Sequence, residues 1–151
     1  MIKEIDITNP ELAQQVLRVQ VPSYMVEAKI INFYDIPPLH DTVESLQKCE
    51  ETFYGYYIDS VLCGAISFKN ENRILDIHRL IVEPTHFRKG IASKLLEHLE
   101  QSVKDFDIIT VSTGALNHPA IQFYETHGFT QIDVRTITKG LSLAFFEQRI
   151  R

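Results

Sequence analysis

The stretch TFYGYYIDSVLCGAISFKNENRILDIHRLIV, ending at Val82, constrains the fold most. It is three runs rich in aromatic and β-branched residues, broken at Asp59-Ser60 and at Asn70-Glu71-Asn72. Runs of this kind between turn residues read as strands, here about 53–58, 61–68 and 73–82, paired antiparallel. After Pro84 and the turn Phe87-Arg88-Lys89-Gly90 the period changes, and Ile91, Ala92, Leu95, Leu96 and Leu99 recur at helical spacing. A strand meander that runs straight into a helix calls for layered packing, α/β or α+β.

The flanks extend this pattern. KEIDIT alternates as a short strand. A helix then begins with Asn9 as cap, Pro10 at its first position and Glu11 in its first turn. Pro22 is expected to end or bend it. YMVEAKIINFYDIPPLHD reads as helix, then loop at Pro37-Pro38. A second helix follows, with Asp41 as cap and Glu44 three residues on, as in a capping box. Downstream come a strand over 107–113, a helix over 118–127, and strands TQIDVRTIT and LSLAFFEQRI joined at Lys139-Gly140. The order βααβββαβαββ describes one three-layer domain over residues 1–151. The C-terminal FFEQRI reads as an edge strand, a candidate for pairing across a homodimer.

Composition removes several classes of function. A net charge of −5 argues against a general nucleic-acid surface. Two cysteines, Cys49 and Cys63, make no disulfide framework and suggest a reducing compartment. No run approaches about 18 apolar residues, so no membrane span is expected. The polar start, MIKEIDITNPEL, does not read as a signal peptide. The expectation is a soluble cytoplasmic protein. No HExxH and no cluster at metal spacing is present, so no metal is expected.

The turn at 87–93 has a definite chemistry. A helix N-terminus presents unpaired N–H groups and partial positive charge, which together favour an anion. Gly90 permits unusual φ and close approach of a ligand to the backbone. Ala92 keeps the same surface low. Arg88 and Lys89 add cations, and Ser93 a hydroxyl, so a phosphate or pyrophosphate would fit. GxxxxGK[ST] and a strand-linked GxGxxG are both absent, which disfavours nucleoside triphosphatases and dinucleotide dehydrogenases. A second pattern, NHPAIQFYETHGF, sets Asn117 as a helix cap, with Ala120 and Tyr124 along the same helical face and Gly128 as terminator.

Together these motifs, strand-VxP-turn-GxA-helix and then NxxAxxFYxxxGF, resemble the GNAT superfamily of acyl-CoA N-acyltransferases. Val82, Pro84, Gly90 and Ala92 match its acetyl-CoA motif. Asn117, Ala120, Phe123, Tyr124, Gly128 and Phe129 match its second motif. The family pattern has Gln or Arg where this chain has Phe87; Arg88 stands one residue later, and Phe87 is expected to pack inward or against the cofactor's edge.

The resemblance implies a mixed, mostly antiparallel central sheet flanked by helices. It also implies acetyl-CoA as acyl donor and an amine as acceptor. Pantetheine would lie against the backbone of Leu80, Ile81 and Val82, and pyrophosphate against residues 88–93, Ile91 included, with Asn117 also at the cofactor. Tyr124 matches the tyrosine that protonates the leaving sulfur. For the proton of the acceptor ammonium the candidates are Asp76, His78 or a water chain. Period two places Asp76, His78, Leu80 and Val82 on one strand face, and His78 has a suitable intrinsic pKa. The acceptor would be framed by Tyr24, Glu27, Tyr34 and Asp35, an aromatic and carboxylate wall suited to a cationic amine. The expected function is acetyl transfer to a primary amine of a small molecule or peptide. The alternative is a CoA-binding sensor or regulatory module without turnover.

Overall fold

The computed structural model describes residues 1–150. Its elements are β1 (Ile2–Ile5), α1 (Pro10–Ile31), α2 (Val43–Gln47), β2 (Thr52–Ile58), β3 (Val61–Glu71), β4 (Ile74–Val82), α3 (Ile91–Ser102), β5 (Ile108–Gly114), α4 (His118–Thr126), β6 (Thr130–Thr138) and β7 (Leu141–Arg149), with 3-10 turns at Pro37–His40 and Pro84–His86. The seven strands form one sheet in the order β1-β2-β3-β4-β5-β7-β6. Every neighbouring pair is antiparallel except β4 and β5, which run parallel. No helix among the described residues is long and apolar enough to cross a membrane.

Local sequence accounts for most boundaries. The Asn9 side chain accepts from the N–H groups of Glu11 and Leu12 and starts α1. Asp59 and Ser60 both take positive φ, 49° and 67°, in a two-residue hairpin turn. The next turn falls on Asn72 and Arg73, both at positive φ, rather than on residues 70–72. β3 therefore runs on through Asn70 and Glu71, and Asn70 Nδ2 donates to the Lys104 carbonyl at 3.0 Å.

Four expectations are corrected. α1 continues through Pro22; the N–H that proline lacks would have bonded the carbonyl of exposed Arg18, which lies on the solvent side of the helix. The cap of α2 is Thr42, in a reciprocal box with Ser45, because Asp41 is instead turned to Gln20 and Arg79. The terminal strand β7 is interior, inserted between β5 and β6, so the sheet edge there is β6. Register shifts at Ile132 and Ile137 bend that edge. The last correction concerns β4. Ser67 faces Arg79 but Phe68 faces Ile77, so His78 is an extra, bulged residue. Asp76 and His78 therefore share a face with Arg79 and Ile81, whereas Leu80 and Val82 pack with Leu75 and Ile77 on the other.

Apolar clusters cover both faces. Leu95, Leu96 and Leu99 of α3, with Tyr124 and Phe129, pack on Ile66, Leu75, Ile109 and Phe146. Ala13, Val16 and Val19 of α1, with Leu46 of α2, pack on Phe53, Ala65 and Ile81. Burying each leucine of α3 contributes roughly 1.5–3 kcal/mol, enough to hold the start of that helix in place. Close approach there depends on Gly64. A Cβ at that position would lie 2.9 Å from Ile91 Cγ2 and 3.0 Å from the Ile81 carbonyl oxygen. Gly64→Ala is expected to cost about 1–3 kcal/mol, read as a lowered thermal midpoint; an unchanged midpoint would mean that α3 can slide outward freely.

Candidate functional site

β4 and β5 pair only over Ile74–Asp76 and Ile108–Thr110. Beyond these residues the strands separate, β4 staying with β3 to Val82 and β5 with β7 to Gly114. A cleft of about 460 Å³ fills the gap. α1 supplies Ser23, Tyr24 and Glu27 to it, and α4 supplies Tyr124 and, from its cap, Asn117. The Val82 N–H donates to Ser23 Oγ at 3.4 Å, while Glu83 N–H donates to the Cys63 carbonyl on β3. Amides alternate along a strand, so Leu80 N–H, like that of Val82, is directed into the gap and that of Ile81 toward β3.

At the cleft mouth stands the N-terminus of α3. α1, α2 and α4 each cover their first amides with a cap side chain, from Asn9, Thr42 and Asn117; α3 begins at Gly90 with no side-chain cap. Gly90 has φ +75°, and a Cβ built on it would meet nothing within 4 Å. Arg88 also takes a left-handed φ of 66°. The amides of Ile91, Ala92 and Ser93 thus face the opening without protein acceptors of the helical kind.

Of the residues singled out in the sequence, the cleft brings together Tyr24, Glu27, His78, Leu80, Val82, Arg88, Gly90, Ile91, Ala92, Ser93, Asn117 and Tyr124. It does not bring in Asp76, Ile81, Lys89 or Tyr34. Asp76 lines a separate cleft of about 660 Å³ across the strand, where His78 also stands. The Ile81 side chain is buried on the face that α1 and α2 cover. Lys89 Nζ donates to His86 Nδ1 at 3.0 Å. Tyr34 is 52% exposed beyond the end of α1, and its neighbour Asp35 pairs with His40. Phe87 is 42% exposed at the cleft rim rather than packed inward.

Ser93 is committed elsewhere. His127 Nδ1 lies 2.8 Å from the Phe123 carbonyl, which only accepts, and its Nε2 hydrogen-bonds with Ser93 Oγ at 3.0 Å. The hydroxyl thereby ties α3 to α4.

The two tyrosines are chemically alike. Burial first, and then the Glu27 carboxylate, push both phenols far above their ordinary pKa. Tyr124 is 7% exposed, and among the described residues nothing hydrogen-bonds its hydroxyl. Glu27 Oε1 accepts from Thr113 Oγ1 at 2.9 Å and from Asn117 Nδ2 at 3.1 Å.

A charge network escaped the sequence reading. Arg79, with its side chain 12% exposed, lies between Asp41 Oδ2 at 3.0 Å and Glu51 Oε1, whose side chain is 7% exposed. Glu51 also accepts from Ser67 Oγ at 2.7 Å and meets His78 Nδ1 at 3.3 Å, while His78 Nε2 meets Asp76 at 3.2 Å. Hydrogen bonds to Asp76 and then Glu51 raise His78 to about 9. Burial opposes ionisation of Glu51, but hydrogen bonds from His78 and Ser67, with the charge of Arg79, hold it at about 2. His78 is therefore an imidazolium at neutral pH, with both nitrogens engaged, and is not a free base there. The only local hint was one arginine inside an otherwise apolar strand end.

These shifts predict a pH profile. The His78 contribution to stability is full below its ordinary 6.5 and lost as pH rises through about 9. That of Glu51 is full above its ordinary 4.5 and lost as pH falls toward about 2. Unfolding free energy should decline on both sides of the range 4.5–6.5, and His78→Gln should flatten the alkaline limb in a urea titration across pH. An alkaline limb identical in the variant would refute the assignment.

Comparison with known proteins agrees with this geometry. Residues 14–129 match the model of the Acetyltransferase (GNAT) family. The UPF0157 protein YqkA of Bacillus subtilis (strain 168) is 36% identical over 146 residues, covering 97% of this chain and 43% of that protein. The chain spans about half the length of the curated relatives it matches. Among solved structures, smu.2055 from Streptococcus mutans UA159 superposes with a TM-score of 0.81 at 16% identity, covering 100% of this chain and 99% of that one. The PaiA N-acetyltransferase of Thermoplasma acidophilum, solved in complex with coenzyme A, gives 0.75 at 19% identity, with 99% of each chain covered. The structural likenesses show the fold. With the family match over most of its length, the chain belongs to the GNAT family of acetyltransferases.

Proposed function

We propose that the chain transfers the acetyl group of acetyl-CoA to a primary amine. One observation carries this reading: an uncapped helix start, the inward amides of β4 and the Tyr124 hydroxyl converge on a single cleft. The donor set suits acetyl-CoA. Pyrophosphate needs several N–H donors at close range, which Ile91, Ala92 and Ser93 offer through main chain, with Arg88 beside them. The 3.4 Å bond from Val82 to Ser23 is long, and a better acceptor would displace it. Coenzyme A bound in the PaiA relative supports the same ligand here.

Acetyl-CoA, when bound, supplies the thioester. Leu80 N–H hydrogen-bonds its carbonyl oxygen, where negative charge grows as the amine attacks. Tyr124, kept protonated by its surroundings, donates to the departing sulfur. α1 closes the far side of the gap with Tyr24 and Glu27.

A CoA sensor without turnover is the second reading, favoured by Phe87, an apolar side chain at the rim where a polar contact to the ligand is customary. Thiol release from acetyl-CoA over a panel of primary amines separates the two. Release dependent on an amine supports the transferase. A CoA-induced rise in the thermal midpoint with no thiol release across the panel supports the sensor.

A further inference from the structure

Glu27 is the one carboxylate among the residues lining the first cleft. Its partners Thr113 and Asn117 are neutral, so they fix the group without cancelling its charge. Among the described residues no lysine, arginine or histidine pairs with it, and Oε2 accepts no hydrogen bond. That oxygen is not sealed from solvent, so it is open to a cationic group entering the cleft. Of the other lining groups, His78 and Arg79 on β4 are already paired with Asp76, Glu51 and Asp41, and His86 and Arg88 stand on the turn before α3. Tyr24 on α1 and Tyr124 on α4 are the remaining titratable neighbours and stay uncharged. An ammonium entering this cleft meets in Glu27 a carboxylate that has no paired cation among the described residues.

We propose that Glu27 seats the ammonium of the acceptor and takes its proton, so that the acceptors are amines cationic at neutral pH. This rests on the acetyl-transfer reading above. The balance closes. One proton passes from the ammonium to Glu27. The freed nitrogen forms the C–N bond as the C–S bond breaks, and Tyr124 protonates the sulfur to give CoA thiol. The second nitrogen proton restores Tyr124, and Glu27 releases its proton to water.

The test uses two CoA thioethers of similar size, S-(3-aminopropyl)-CoA and S-butyl-CoA. Each anchors through CoA, and only the first carries an ammonium beyond the sulfur. By titration calorimetry at neutral pH the wild type should prefer the aminopropyl compound by roughly tenfold. Glu27→Gln should erase that preference while binding S-butyl-CoA as well as wild type does, which also reports an intact fold. No preference in the wild type, or a preference that survives in Glu27→Gln, overturns the proposal. Failure of both thioethers to bind removes the acetyl-CoA reading itself and the inference with it.

The proton step has its own readout. With an amine identified by the thiol-release panel, Glu27→Gln should lower kcat/KM by about 100-fold at neutral pH. With methoxyamine, whose nitrogen is unprotonated there, the loss should be several-fold at most. Equal losses with both overturn the base role.

Discussion

Tyr124→Phe is expected to lower kcat for acetyl transfer by about 100-fold or more and to leave the KM for acetyl-CoA unchanged. The substitution is unusually clean. The ring packs against Phe123, Phe129 and Phe146 at centroid distances of 5.4, 5.5 and 5.9 Å, contacts that phenylalanine keeps. The hydroxyl has no partner among the described residues, so its removal orphans nothing, and stability should move by less than about 1 kcal/mol. The phenol stays protonated well past neutral pH, so any alkaline limb in the wild-type rate profile belongs to another group. Steady-state thiol release, with a melting curve beside it, measures both effects. A loss under about tenfold would reduce Tyr124 to a packing residue.

Arg79→Met should be the most damaging single change to stability, about 3–5 kcal/mol. The guanidinium binds Asp41 and Glu51 at once and lies 5.7 Å from the centre of the Phe53 ring. Methionine replaces part of the packing but leaves two carboxylates in a site built for a cation. For a chain of this size the thermal midpoint should fall by roughly 10 °C. Adding Glu51→Gln should restore part of the loss, because it removes one of the two carboxylates that lose their guanidinium and leaves His78 its partner Asp76. A single variant that melts within a degree or two of wild type would show that the network is stabilised by something other than charge pairing.

Those two residues also mark what the sequence made legible. Tyr124 belongs to a helix whose cap, face and terminator all sit within thirteen residues, Asn117 to Phe129, so local pattern sufficed to place it. The same holds for Gly90 and α3, where a strand, a proline, a glycine and an apolar stripe follow in order. Arg79 depends on Asp41 and Glu51, which lie 38 and 28 residues away in the connections on either side of α2, and no local period reports such a meeting. His78 shows a subtler failure. Alternation is a sound rule for a straight strand, and it placed Asp76 and His78 with Leu80 and Val82. One bulged residue reverses the phase, so the charged pair joins Arg79 and the apolar pair joins the opposite core. Pro22 misled because its cost depends on where the orphaned carbonyl lies, and here it belongs to an exposed residue, Arg18.

The bare start of α3 decides how this protein can be interrogated. On the acetyl-CoA reading its donors to the ligand are peptide groups, so alanine scanning from Phe87 to Lys89 should strip decoration and leave the cradle standing. Atom-level editing sees what scanning misses: exchanging the amide of Ala92 for an ester deletes one donor and alters no side chain. In this turn the informative mutation is in the main chain.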